Sequence, residues 1–86
     1  MPIELAKKFV RAYDRLPNHV QKCVVRALHI LDESRRHPGL HDRRLSGPRN
    51  IFYARVDRDH RLTYERRGDV FLLRNVGRYD ETLKNS

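Results

Sequence analysis

The chain has 86 residues, 38% hydrophobic and 35% charged, with a formal net charge of +8 from 19 Lys and Arg against 11 Asp and Glu. This length holds a single domain, residues 1–86, that buries somewhat above ~60% of its unfolded surface in one modest core. The apolar residues are clustered and periodic, which excludes a disordered chain, and no run approaches the roughly 20 apolar residues of a membrane span.

The opening MPIELAKKFV lacks the charged start and apolar stretch of a secretory signal. Cys23 is the one cysteine, so no internal disulfide forms. At an apolar helical position it is expected to be a buried small hydrophobe, in keeping with a reducing, cytoplasmic compartment. Lysine occurs only at Lys7, Lys8, Lys22 and Lys84, and the other cations are arginine. The planar arginine fork matches phosphate oxygens, so the composition points to a polyanionic partner, most often nucleic acid. A solvated basic surface is the plainer alternative.

In chain order, PIEL reads as a short opening segment or clipped edge strand. Leu5, Phe9, Ala12, Tyr13 and Leu16 then recur at helical spacing, with Lys7, Lys8, Arg11, Asp14 and Arg15 on the other face. Pro17 breaks this helix. A second runs from about Asn18 to Arg35, its stripe built of Val20, Val24, Ala27, Leu28 and Leu31 and widened by Val25 and Ile30. Pro38 and Gly39 end it. The short link between the two predicts an antiparallel helix hairpin.

His37 to Asn50 reads as a long connection pinned by Leu40 and Leu45. After it the period changes to two. Strands are predicted over Ile51–Val56, His60–Arg66 and Val70–Val76, joined by turns at Asp57-Arg58-Asp59 and around Gly68. The third is the most apolar and is expected to be the most central, with Gly77 stopping it. The tail RYDETLKNS holds one helical turn or none. The fold class is therefore α+β: a helix hairpin, with or without a short edge strand before it, packed on a three-stranded antiparallel meander.

Alternation along the strands places Phe52, Ala54 and Val56 on one face and Ile51, Tyr53 and Arg55 on the other. Leu62 and Tyr64 oppose Arg61 and Thr63, and Val70, Leu72 and Val76 oppose Phe71, Leu73 and Asn75. If the helices cover Phe52 and Leu62, then Tyr53, Arg55, Arg61 and Thr63 converge on the open face. Arginines beside a tyrosine on a rigid sheet clamp phosphate and stack a base, as single-stranded RNA is held. Ordinary cross-strand pairing of Arg55 or Arg61 with Glu65, Asp57 or Asp59 is the structural alternative.

Of the 5 histidines, His37 and His41 are separated by Pro38-Gly39 and share no helical face, and no set of cysteines or carboxylates completes a zinc site. No metal and no cofactor are expected. His29 and His19 read as helix residues. His60, beside Arg61, is the histidine placed for proton transfer. Arg35-Arg36 and Arg43-Arg44 flank the long loop as a possible electrostatic track or a solvated rim.

The segment RLSGPRNIFYARVDRDHRLTYERRGDVFLLRNVGRYDE resembles the RelE/ParE toxin superfamily of type II toxin–antitoxin systems, on its RelE-like branch. The resemblance rests on Leu45-Ser46-Gly47, Arg55-Val56, Arg61-Leu62-Thr63-Tyr64 and Val76-Gly77-Arg78-Tyr79-Asp80, and extends to Phe9, Leu16-Pro17 and HPGL in the helical half. It implies a RelE-like microbial RNase fold and a ribosome-dependent mRNA endonuclease. In that chemistry the ribose 2′-OH attacks the adjacent phosphate without a metal. The resemblance assigns catalysis to Arg61, Arg55, Arg78 and Tyr79. The residues themselves add Tyr53, Arg43 and Arg44 as RNA contacts and His60 for proton transfer, and the resemblance matches Asp80 and Asp59 more weakly as RNA-binding and proton-transfer helpers. It implies an acidic antitoxin, the ribosome and mRNA as partners. Where many members carry an aromatic residue after V-G, this chain has Leu83. A ParE-like inhibitor of DNA gyrase, or a member without activity, therefore stays open.

Overall fold

The computed structural model describes residues 3–33, 43–44 and 50–84. Strand β1 (Ile3–Leu5) leads into helices α1 (Lys7–Asp14) and α2 (Asn18–Glu33). Strands β2 (Arg43–Arg44), β3 (Ile51–Arg55), β4 (His60–Arg67) and β5 (Val70–Arg78) follow, and helix α3 (Tyr79–Lys84) ends the described chain. The α+β architecture is the one the sequence predicts. The strands form one five-stranded sheet in the order β1-β5-β4-β3-β2, antiparallel except that β1 runs parallel to β5. Two short edge strands thus extend the meander. β4 lies at the centre, and β5 is internal between β1 and β4.

Phe9 of α1 and Val24, Ala27 and Leu31 of α2 pack on Ala54, Leu62, Tyr64, Phe71, Leu73 and Val76. Fully burying each large side chain contributes roughly 1.5–3 kcal/mol. Tyr64 joins the layer through rings, stacked on Phe52 at 5.5 Å and tilted against Phe71 at 5.3 Å. α1 ends as expected before Pro17, where the Gln21 side chain donates to the Tyr13 carbonyl at 2.9 Å. It adds to the bond that this helix-end carbonyl already accepts from the Leu16 N–H at 3.0 Å.

Several expectations are corrected. Leu5 belongs to β1 and is 50% exposed, rather than part of the α1 stripe. Val25 is exposed, and Cys23 is half-buried rather than buried, because the core stripe of α2 is narrower than its apolar composition. The end of the second helix beyond Glu33, Leu40, Leu45 and the His37/His41 pair lie outside the described residues.

The simple alternation expected along β5 also fails at one point. Thr63 pairs with Asn75, but Tyr64 pairs with Leu73, so the register slips past Arg74. A bulge of one residue reverses the facing of everything beyond it. Phe71, Leu73 and Val76 therefore all reach the core, while Asn75 lies opposite Thr63. Gly77 does not stop the strand, which runs on to Arg78. Gly68, at φ 58°, sits in the tight β4–β5 turn, where a left-handed residue matches strand twist.

Candidate nucleic-acid interface

With Ala54, Leu62 and Tyr64 committed to the helices, β3 and β4 turn Tyr53, Arg55, Arg61 and Thr63 to the opposite face. Arg55 lies directly opposite Arg61, and Arg61 directly opposite Gly77, so one row across the sheet reads Arg55–Arg61–Gly77. The neighbouring row reads Tyr53–Thr63–Asn75, with Arg43 of β2 in register with Tyr53. Cross-strand pairing does not neutralise the arginine row. Glu65 instead accepts from Arg67 and, at 2.8 Å, from Arg74. Those two arginines, Arg67 foremost, hold its carboxyl below the usual range.

Like charges directly opposite on a sheet are unfavourable by a few tenths of a kcal/mol. Arg55 is exposed, and no side-chain bond to it offsets that cost among the described residues. Arg55→Gln should therefore raise the melting temperature by about 1–4 °C. Thermal unfolding checks it. A lower melting temperature would show that Arg55 serves the fold.

The β3–β4 turn sets Arg61. Its Nη1 donates to the carbonyls of Asp57 at 2.6 Å, His60 at 2.9 Å and Arg58 at 3.4 Å. Nε and Nη2 carry no hydrogen bond among the described residues. The guanidinium carbon lies 4.9 Å from the centroid of the Tyr79 ring, a cation–π contact. Tyr79 is fixed in turn by its N–H, which donates to the Asp59 carbonyl at 2.8 Å.

Asp57 organises the turn, and sequence reasoning gave it no role in the site. Its Oδ1 accepts from the N–H groups of Asp59 and His60 and bonds the His60 ring at Nδ1, each at 2.9 Å. An aspartate bonding N–H groups two and three residues on is an Asx turn, so D-x-D-H was the available signal. Partial burial works against the Asp57 charge. The bonds from His60 and Asp59 outweigh it and hold the carboxyl below its usual value. A depressed carboxyl stabilises the fold above the ordinary aspartate range and loses that contribution as pH falls through the lowered value. Asp57→Asn should thus cost about 1–2 kcal/mol near neutral pH, and the gap from the unmodified chain should narrow below about pH 4. Urea unfolding at the two pH values measures it. A gap independent of pH would exclude the charge as the cause.

Of the two expectations for the tail, the helical one holds. Residues 79–84 form a helix with Asp80 and Glu81 in its first turn and Lys84 in its last, an order that suits the helix dipole. Thr82 is buried, and its Oγ1 comes within 2.8 Å of where a Cβ on Gly77 would stand. Glycine at 77 is what lets α3 lie this close. Together with Thr63, also fully buried, this means the face is covered near Gly77 and open toward Arg55.

The predicted residues therefore separate. Arg55, Arg61, Tyr53 and Tyr79 gather on or beside the open face. Arg78 lies opposite His60, on the alternate side from Gly77, and both line a cleft between α1, the end of β5 and α3. His60 is held by Asp57 there rather than aligned with the arginine row. Asp59 and Asp80 are exposed, and Leu83 is half-buried in α3. Arg43 and Arg44 are placed by register alone. Among the described residues no group of three or more His, Cys, Asp or Glu side chains could hold a metal ion, and no helix is long and apolar enough to cross a membrane.

No family model matches the chain, and no curated protein matches it. Solved structures do. The RelB–RelE antitoxin–toxin complex from Methanococcus jannaschii aligns with a TM-score of 0.78 at 19% identity, over 95% of this chain and 96% of that one. The YoeB dimer from Staphylococcus aureus gives 0.75 at 15% identity, over 92% and 95%. The E. coli DinJ–YafQ complex gives 0.73 at 19% identity, over 92% and 93%. The chain has the RelE-like toxin fold.

Proposed function

We propose that this chain is the toxin of a type II toxin–antitoxin system and acts in the cytoplasm as a ribosome-dependent mRNA endonuclease. The observation that carries this reading is the Arg55–Arg61 pair, held in register at a local cost on a face that α1 and α2 leave free and α3 covers only near Gly77. In the proposed reaction a ribose 2′-OH gives its proton to water as its oxygen attacks the adjacent phosphorus. The P–O5′ bond breaks, a 2′,3′-cyclic phosphate forms, and the leaving oxygen takes a proton from water to become a 5′-OH. Arg55 and the Nε and Nη2 donors of Arg61 neutralise charge on the phosphorane. Tyr79 keeps the Arg61 guanidinium in place, and Tyr53 offers a ring on which a base stacks. The RelE and YafQ structures contain the RelB and DinJ antitoxins. By analogy, an acidic antitoxin covers the basic face of this chain.

One observation favours a second reading, binding of a protein target such as DNA gyrase without cleavage. Arg61 already spends Nη1 on three turn carbonyls, as a structural residue would. Induced expression in a bacterial host separates the two. The nuclease reading expects amino-acid incorporation to stop before any DNA-damage response begins. DNA damage with translation continuing would replace it with the gyrase reading.

A further inference from the structure

Strand alternation takes Arg78 away from Arg61 and into a cleft of about 510 Å³. α1 brings Lys8, Arg11 and Arg15 to the same cleft. Steps of three and four residues put them along one helix face, and all three are exposed, as is Arg78. Glu81 is the carboxylate in the lining. Like charges at these spacings destabilise a helix by a few tenths of a kcal/mol each. Lys8 and Glu81 have partners, but no ion pair among the described residues accounts for the convergence of Arg11, Arg15 and Arg78.

We infer that this cleft is a second anion subsite, taking the phosphodiester backbone of the RNA strand that flanks the phosphate held by Arg55 and Arg61. The inference rests on the nuclease reading of the sheet face. Continuity selects RNA over an acidic peptide. Gly77 is the register partner of Arg61, Arg78 follows it, and Tyr79 beyond carries the Arg61 guanidinium. The cleft lies on the α1 side of the sheet, so a strand leaving the arginine row turns round the end of β5, where Arg78 stands first and α1 after it. A helical peptide would need apolar anchors. The apolar residues of the lining, Ala12, Leu16 and Val76, are half-buried or buried in the core, and the exposed large ones, Leu5, Val10, Val25 and Tyr79, lie outside it.

The test uses a single-stranded RNA of about eight nucleotides with 2′-O-methyl riboses, which binds but cannot be cut by 2′-oxygen attack. Binding is titrated by fluorescence anisotropy from about 50 to 200 mM salt for the unmodified chain and for Arg11→Gln/Arg15→Gln. Both positions are exposed, and circular dichroism verifies the fold. The variant should bind about tenfold more weakly, with a log–log salt slope shallower by about 1.4, the loss of two phosphate contacts. Unchanged affinity and slope would overturn the inference. So would loss of poly-glutamate binding with RNA binding kept, which would assign the cleft to an acidic peptide. The readout needs no cleavage. A chain that binds RNA through Arg11 and Arg15 but cuts none leaves the subsite standing and removes the nuclease reading alone.

Discussion

Arg61→Ala protein should remain folded and cleave mRNA on programmed ribosomes about 10²–10³-fold more slowly. That is the loss seen when one donor to a developing anionic centre is removed. The substitution also strips three hydrogen bonds from the β3–β4 turn. Hydrogen bonds to a charged group contribute about 1.5–3 kcal/mol each when made singly, and well under that where one Nη1 is shared among three carbonyls. A domain of this size has roughly 4–13 kcal/mol in hand, so the variant survives as a folded protein. Arg61→Lys discriminates further. It keeps a charge but loses the fork, and should recover only part of the rate. A variant that melts normally and cleaves at the original rate would remove Arg61 from the chemistry.

The largest effect on stability should come from Phe71→Ala. Phe71 is fully buried in β5, tilted against Tyr64 and packed in the layer that α1 and α2 cover. Truncating it removes a ring and leaves a cavity that backbone hydrogen bonds on both flanks prevent from closing. Such changes cost about 3–5 kcal/mol, which at this chain length lowers the melting temperature by roughly 12–40 °C. Phe52→Ala is the matched control, because Phe52 stacks on the other side of Tyr64 but is half-exposed. It should cost clearly less. Equal losses in the two variants would mean that the core is not centred on Tyr64 and Phe71.

Patterns of period three to four and period two carried most of the fold. The stripe Val20, Val24, Ala27 and Leu31 is the buried face of α2, and the strand limits differ from expectation by one or two residues. What stayed illegible was either non-local or against composition. β1 exists because Ile3–Leu5 finds β5 across nearly the whole chain, and no local signal specifies that parallel pairing. β2 is the dipeptide Arg43-Arg44, whose composition favours a solvated loop. The bulge at Arg74 changes the facing of Val76 and Asn75 without any glycine to mark it.

The candidate site divides along the same line. Opposition of Arg55 and Arg61 follows from a short turn and strict alternation, both readable. Separation of Arg78 and His60 from that row follows from the same alternation once β5 is seen to continue through Gly77. The roles of Asp57 and Thr82 depend on the turn closing and α3 folding back, which only the assembled chain shows. In α3 a signal was present: Asp80 and Glu81 before Lys84 is the charge order of a short helix.

The most direct test of the Arg55–Arg61 row as an RNA-cleaving site is to map new transcript ends after induced expression of the unmodified chain, Arg55→Ala and Arg61→Ala. The account predicts new 5′-OH ends within translated messages for the unmodified chain and none for either variant. Growth arrest without new 5′-OH ends, or the same ends in all three, would contradict it.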